Sequence, residues 1–226
     1  MTENYYIDLT TVTLAEYEKE LAEAELLPSR KIIQEDLKQR FSCLKAHGVQ
    51  NLNDLLAVLK TPDRIKDFAG KTGLPEEYLS ILKREVASIR PKPVNIKDFQ
   101  GIAAAVVGKI EGLGIRNTEQ LFDFVKTKAA REDLREKIGF SNEEILELTK
   151  LTDVVRIKWV GANFARLLVD SPCDTVEKVS NADYRELYDI LMKINEEKQY
   201  FKGKFGLNDM KLCVIAAKSV PKAIKY

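Results

Sequence analysis

The fold is decided by Gly48–Leu82, GVQNLNDLLAVLKTPDRIKDFAGKTGLPEEYLSIL, because this stretch recurs downstream as Gly114–Leu148, GIRNTEQLFDFVKTKAAREDLREKIGFSNEEILEL. With a shift of 66 residues the two stretches align without a gap, and 10 of their 35 positions are identical. Such repetition is typical of a small supersecondary unit that has been copied and stacked, since one helical unit alone cannot bury its apolar face. The identical positions are mostly helix ends and core positions, so the repeat predicts architecture rather than chemistry.

Signals for the end of one helix and the start of the next recur in both copies. Gly48 and Gly114 are each followed by an apolar residue, which is the pattern of a helix that ends at a left-handed glycine with an apolar residue folded back on it. Three residues later, Asn51 and Asn117 are typical N-caps. We therefore expect each copy to contain a helix, a sharp turn and a second helix.

The chain upstream of the first copy is acidic. Apolar residues at helical spacing from Thr13 onward, with acids between them, predict a solvated helix that ends at Leu27, before Pro28. Ser29 is the predicted N-cap of one further helix that runs through Leu44. Together with the repeat, these patterns predict an all-α protein.

Four segments follow from these patterns. The segment 1–29 is an acidic N-terminal helical segment, 30–92 is the first helical unit, and 93–150 is the second unit, which repeats the first. A third and more divergent unit is predicted for 151–226. The boundary between the first two units falls in the stretch 89–95, whose alternating prolines favour a stiff, extended connector.

Composition and charge narrow the class of protein. With 226 residues, 45% of them hydrophobic and 31% charged, the chain is an ordered, helix-rich protein. Its net charge of +1 argues against a protein whose main function is to bind a polyanion. The ends differ, because residues 1–29 hold seven acids and one lysine, whereas the chain from Lys198 onward holds seven lysines and one aspartate. Solvated or mutually docked ends are the favoured interpretation, and a basic C-terminal face for a phosphate backbone is the alternative.

Several classes of site have no support in the sequence. We expect a cytoplasmic protein without a membrane segment, because no secretory pattern is evident and the longest apolar stretch is short. A zinc site made of His47, Cys43, Cys173 and Cys213 is disfavoured, since the cysteines lack close spacing. No phosphate-cradling loop and no convergent pair of carboxylates is found. The sequence therefore predicts no enzyme, no metal or other cofactor and no small-molecule substrate.

Two segments, Asp98–Ala103 (DFQGIA) and Arg156–Ala162 (RIKWVGA), resemble the helix-hairpin-helix motif, in which an apolar-Gly-apolar-Gly hairpin joins two short helices. The third unit resembles the related family catalogued as domain of unknown function 4332. The first unit, through Cys43–Val49, is also similar to the C-terminal domain of the bacterial RNA polymerase alpha subunit. The resemblance covers roughly residues 30–226. It implies three tandem helix-hairpin-helix-like helical units preceded by the acidic N-terminal helix.

The resemblance to the helix-hairpin-helix motif implies contact with nucleic acid, since the hairpin glycines let backbone N–H groups approach a phosphate oxygen. The hairpins here depart from the pattern in different ways. The second unit keeps Gly101 but has Ala103 in place of the other glycine, whereas the third keeps Gly161 but has Trp159 in place of the first. The first unit has Glu-Asp-Leu at 35–37, whose two carboxylates would repel a phosphate. Only the third hairpin is therefore predicted to hold an anion.

The predicted nucleic-acid-binding residues all belong to the third hairpin and its flanks: Arg156, Lys158, Trp159, Val160, Gly161 and Arg166. An exposed Trp159 would stack on a base or anchor a partner. Burial against the neighbouring unit is the favoured expectation for this tryptophan, the only one in the chain.

Two functions fit these observations. The first is a non-catalytic binding module of helix-hairpin-helix type that binds nucleic acid independently of base sequence, through the third hairpin and the lysine-rich C-terminal segment. The alternative is a scaffold for protein–protein interaction or self-association that has kept the fold and lost the phosphate site. The near-neutral charge and the altered hairpins favour the scaffold about as strongly as the resemblance favours nucleic-acid binding.

Overall fold

The fold of residues 4–226, the part of the chain that the computed structural model describes, is built from α-helices. Two short 3₁₀ helices, Pro28–Gln34 and Ile96–Asp98, lie between them, and β-type pairing within these residues is limited to two isolated bridges. The predicted all-α class is therefore confirmed. Along residues 4–226, no helix combines the length and the apolar character that crossing a membrane requires.

The chain forms two compact units, one of residues 7–90 and one of residues 91–226 together with 4–6. We refer to these two as the first and second units, and to the three units inferred from the sequence as predicted units. The helices of the first unit are α1 (Leu14–Glu23), α2 (Leu37–Ala46), α3 (Leu52–Val58), α4 (Pro62–Thr72) and α5 (Glu76–Ala87). Those of the second are α6 (Ala104–Gly112), α7 (Thr118–Val125), α8 (Lys128–Ile138), α9 (Asn142–Val154), α10 (Ala162–Val169), α11 (Val176–Asn181), α12 (Tyr184–Lys198) and α13 (Leu207–Ser219).

The predicted segment boundaries can be placed on these units. The division at residues 90 and 91 lies next to the predicted boundary at 92 and 93. The acidic helix α1 packs on α2 within the first unit, and residues 1–3 of the predicted segment 1–29 lie outside the described part of the chain. Residues 150 and 151, on either side of the last predicted boundary, both belong to α9.

The predicted single helix from Ser29 to Leu44 is wrong, because the chain turns at Asp36. A 3₁₀ helix precedes this turn and α2 follows it. The backbone of Asp36 is left-handed, with φ of +47°, and so cannot continue a right-handed helix; aspartate tolerates this conformation better than most residues. Just before the turn, the Gln34 side chain donates two hydrogen bonds of 2.8 Å to carbonyl oxygens at the end of α1.

Both copies of the repeat contain the same helices in the same order, since α3, α4 and α5 correspond to α7, α8 and α9 after a shift of 66 residues. Gly48 and Gly114 follow the preceding helices with left-handed φ values of +85° and +80°. The side chains of Asn51 and Asn117 each accept a hydrogen bond from the backbone N–H three residues later, at 2.9 and 3.0 Å. The predicted signals for helix end and helix start are therefore confirmed.

Helix α9 lies at the centre of the second unit, because its Leu148, Leu151 and Val154 are almost entirely buried. Helices α7 and α10 pack against α9, and α13 covers α11 and α12. The chain leaves the buried end of α9 and turns through residues 155–161 before α10 begins. This arrangement brings the third predicted hairpin to the surface at the N-terminus of α10.

Candidate nucleic-acid interface

The second and third predicted hairpins each place a left-handed residue at the same distance from the helix that follows, although they differ in sequence. Gly101 has a φ of +83° and lies three residues before the first residue of α6; Trp159 has a φ of +69° and lies three residues before the first residue of α10. A left-handed conformation costs a non-glycine residue about 1–2 kcal/mol. Trp159 therefore stands at the position that corresponds to Gly101 of the second hairpin, and its left-handed backbone carries this energetic cost.

The indole ring of Trp159 is exposed, with 47% of the residue open to solvent. The favoured expectation of a buried tryptophan is wrong, because Ile157 and Val160 on either side of the turn point into the core and leave the indole outside. The Nζ atom of Lys158 lies 4.3 Å from the centroid of the Trp159 ring, a cation–π contact. The hairpin thus presents an aromatic ring with an ammonium group over one of its faces.

Arg156 lies inside the protein, with 3% of its surface exposed. Its guanidinium forms an ion pair with Asp153, donates a hydrogen bond of 3.0 Å to the carbonyl oxygen of Pro221 and lies 5.3 Å from the ring centroid of Phe122. These contacts tie the end of α9 to the C-terminal segment. Arg156 is therefore engaged in the packing of the second unit and does not belong to its surface.

Arg166 is also buried and doubly paired. It forms ion pairs with Glu147 of α9 and with Asp170, the residue that caps the C-terminus of α10. Burial alone would lower the pKa of Arg166, but the hydrogen bonds to these two carboxylates raise it above its usual value. Its side chain also contacts the second hairpin, since a Cβ atom at Gly101 would lie 3.7 Å from its Nη1 atom. Arg166 thus links the two hairpins and α9.

A loop formed by residues 199–206 packs against the first turn of α10. The rings of Phe201 and Phe205 lie edge-on to Phe164, with centroids 5.6 and 5.4 Å apart. Between these two anchors, Lys202 and Lys204 are exposed. We call this segment the lysine loop.

The lysine loop is also tied to the second hairpin. The Nε2 atom of Gln100 donates hydrogen bonds to the carbonyl oxygen of Tyr200 at 3.1 Å and to Oδ1 of Asn163 at 3.0 Å. The sequence predicted the lysine-rich C-terminal segment together with the third hairpin as the contact, but it did not predict the packing that places Lys202 and Lys204 on α10. The available signal was the alternation of aromatic and basic residues in 201–205, Phe-Lys-Gly-Lys-Phe.

The N-terminus of α10 completes this surface. Gly161 is its N-cap and supplies no side-chain hydrogen bond to the first turn, whose backbone N–H groups have no acceptor within the helix. Gly161 is exposed, whereas Val160 before it is buried. Of the six predicted residues, the structure thus brings Lys158, Trp159 and Gly161 to the hairpin surface and turns the other three inward. We define the hairpin surface as these three residues with the lysine loop.

The candidate zinc ligands are divided between the two units, with Cys43 and His47 in the first and Cys173 and Cys213 in the second. Nδ1 of His47 lies 2.8 Å from the carbonyl oxygen of Cys43, at the end of α2. Cys213 is buried in the second unit, and burial raises the pKa of its thiol to about 12. Within the described part of the chain, no group of three or more His, Cys, Asp or Glu side chains is arranged to hold a metal ion.

Comparison with known proteins places part of the chain in a family. Residues 100–218, just over half of the chain, match the family described as Domain of unknown function (DUF4332). No curated protein and no solved structure matches the chain. The matched range begins within the second hairpin and contains the third hairpin and the lysine loop. The chain therefore belongs to the DUF4332 family.

Proposed function

We propose that this protein is a non-catalytic module that binds nucleic acid without reading base sequence, through the hairpin surface. In this proposal the fold consists of three tandem helix-hairpin-helix-like units preceded by the acidic helix α1, and the third predicted unit, residues 151–226, makes the contact. The observation that carries the proposal is the packing of Phe201 and Phe205 on Phe164, which holds Lys202 and Lys204 beside the first turn of α10.

The chemistry of this surface suits a phosphate backbone. Backbone N–H groups and the positive end of the helix dipole favour an anion at the first turn of α10. Lys158 in the hairpin and the exposed Lys202 and Lys204 in the lysine loop supply three ammonium groups. These groups recognise charge and shape, so the contact carries no base information. Because the net charge of the chain is only +1, we expect modest affinity that depends strongly on salt.

Salt dependence and charge reversal test the proposal. Each neutralised phosphate contributes about −0.9 to the slope of log K against log salt for duplex DNA, so three lysines predict a slope of roughly −2 to −3. The test variant is Lys202→Glu with Lys204→Glu. The matched control is Lys38→Glu with Lys66→Glu, which makes the same charge change at exposed positions of the first unit. Fluorescence anisotropy with labelled single-stranded and duplex DNA and RNA measures binding at low and moderate salt.

We expect the loop variant to weaken binding by about tenfold or more and to flatten the salt slope, whereas the control stays within about threefold of the wild type. Two results would overturn the proposal: no binding of any of these nucleic acids at low salt, or equal losses in the loop variant and the control.

Self-association is the second candidate function, and one observation favours it. Leu207 and Ile215 lie two turns apart on α13 and are exposed by 46% and 45%. Large exposed apolar residues are common where a second chain packs. A concentration-dependent rise in mass in light scattering, abolished by Leu207→Ser with Ile215→Ser, would support a scaffold that pairs through α13. A mass that stays monomeric at all concentrations would exclude it.

A further inference from the structure

We propose that Trp159 makes the hairpin surface selective for unpaired bases, so that its ligand is a single-stranded nucleic acid. This inference rests on the proposed function and goes beyond it by naming the form of the nucleic acid. Its basis is the exposed indole at the apex of the third hairpin, the Lys158 ammonium 4.3 Å from the ring centroid and the lysine loop packed on the first turn of α10.

The two hairpins differ at the position that would meet a ligand. At Gly101 the backbone is bare, and a bare backbone can come close to a phosphate oxygen. At Trp159 a large ring stands on a backbone of the same left-handed conformation. The bulk of the ring keeps the backbone of a duplex at a distance from the hairpin. The paired bases of a duplex are stacked on one another, so they offer the indole no free face. An unpaired base, in contrast, can stack on the indole.

The cations around the ring suit the backbone of the same strand. The Lys158 ammonium lies over one face of the indole, so a base would stack on the opposite face, with its phosphate within reach of the same ammonium group. Lys202 and Lys204 on the lysine loop can neutralise the next phosphates along the strand. Every base has a π face, so stacking tolerates any sequence. The combination of one aromatic platform with a short basic track is typical of binding to single strands.

Intrinsic fluorescence gives a direct test, because Trp159 is the only tryptophan in the chain. The probe is an oligothymidine strand of about 20 nucleotides, and the comparison ligand is a duplex of the same length. We expect saturating oligothymidine to quench the tryptophan emission strongly and the duplex to leave it almost unchanged. Unchanged emission at saturation with the single strand would overturn the inference.

Substitution of the ring provides the second test. Trp159→Gly places a glycine at a φ of +69°, where it fits the backbone, so the variant should fold with a melting temperature close to that of the wild type. We expect its affinity for oligothymidine to fall by about 5- to 100-fold, the range for loss of one base–aromatic stack. Its affinity for the duplex should change by less than about twofold. Trp159→Phe keeps a ring and should retain most of the single-strand affinity.

The outcomes separate this inference from the proposed function. If Trp159→Gly binds oligothymidine as tightly as the wild type while the lysine-loop variant has lost affinity for both ligands, selectivity by Trp159 is refuted and nucleic-acid binding stands. If the wild type prefers the duplex, the inference fails as well. If the wild type binds neither ligand at low salt, the proposed function fails and this inference falls with it.

Discussion

The ring of Phe201 packs edge-on against Phe164 and at the same time closes over Gly203. The Phe164 contact has a centroid distance of 5.6 Å, and a Cβ atom at Gly203 would lie only 2.7 Å from Cε1 of Phe201. Real side chains do not come this close, so any residue other than glycine at position 203 would push the ring or the loop aside. The position of the lysine loop therefore depends on the missing side chain at Gly203.

Gly203→Ala should displace the lysine loop and weaken nucleic-acid binding several-fold, because Lys202 and Lys204 flank the substituted residue. The matched control is Gly206→Ala in the same loop. There the nearest atom to a new Cβ is Oδ2 of Asp209 at 3.9 Å, an ordinary contact. Anisotropy titrations of both variants, with thermal melts to confirm folding, measure the effect. Equal affinities of the two variants would refute this account of the loop.

Arg166→Met should destabilise the second unit, because it leaves the carboxylates of Glu147 and Asp170 without their shared cation. Breaking a fully buried pair costs about 3–5 kcal/mol, and these carboxylates are 33% and 23% exposed, so we expect about 2–3 kcal/mol. The control Lys71→Met removes an exposed helix pair with Asp67 and should cost less than about 0.5 kcal/mol. Urea unfolding monitored by circular dichroism measures both. Similar losses in the two variants would contradict a structural role for Arg166.

Features set by neighbouring residues could be predicted from the sequence. The turns at Gly48 and Gly114 and the caps at Asn51 and Asn117 depend on a few adjacent residues, and the structure confirms them. The break at Asp36 escaped prediction because the apolar spacing continues across it, and no local signal opposed a continuous helix.

The candidate site could be predicted only in part, because its decisive contacts join distant residues. Arg166 meets Glu147, which lies 19 residues away in α9, and Phe201 meets Phe164 across 37 positions of the sequence. The exposure of Trp159 depends on which side of the turn faces the core, and spacing alone does not determine that. A hairpin flanked by basic residues was therefore predictable, whereas the inward direction of its arginines was not.

Acid should destabilise the protein partly through Asp174, which lies between Lys150 and Lys178 at 2.6 and 2.7 Å. Burial alone would raise the pKa of Asp174, but the hydrogen bonds and charges of the two lysines outweigh burial and lower it below the usual 3.8. A carboxyl whose pKa is lower in the folded state stabilises that state above its unfolded pKa. This contribution is lost as the pH falls below about 4 and through the lowered pKa.

Asp174→Asn should therefore flatten the loss of stability between about pH 5 and about pH 2. Urea midpoints of the wild type and the variant across this range measure the effect, with Asp67→Asn as a control at an exposed ion pair. The difference in the free energy of unfolding between the wild type and Asp174→Asn should shrink as the pH falls. A difference that stays constant down to pH 2 would show that the lysine contacts do not favour the ionised carboxylate.

Two glycine substitutions in the first unit should change stability in opposite directions. Gly48→Ala places a Cβ on a backbone with φ of +85° and should destabilise by about 1 kcal/mol, although no other atom lies within 4 Å. Gly70 lies inside α4 with ordinary helical backbone and open space around it, so Gly70→Ala should stabilise by about 0.5–1 kcal/mol. Both add one methyl group, so hydrophobic effects largely cancel. Thermal and urea unfolding should show opposite shifts, and shifts of the same sign would mean that the turn at Gly48 does not require its left-handed conformation.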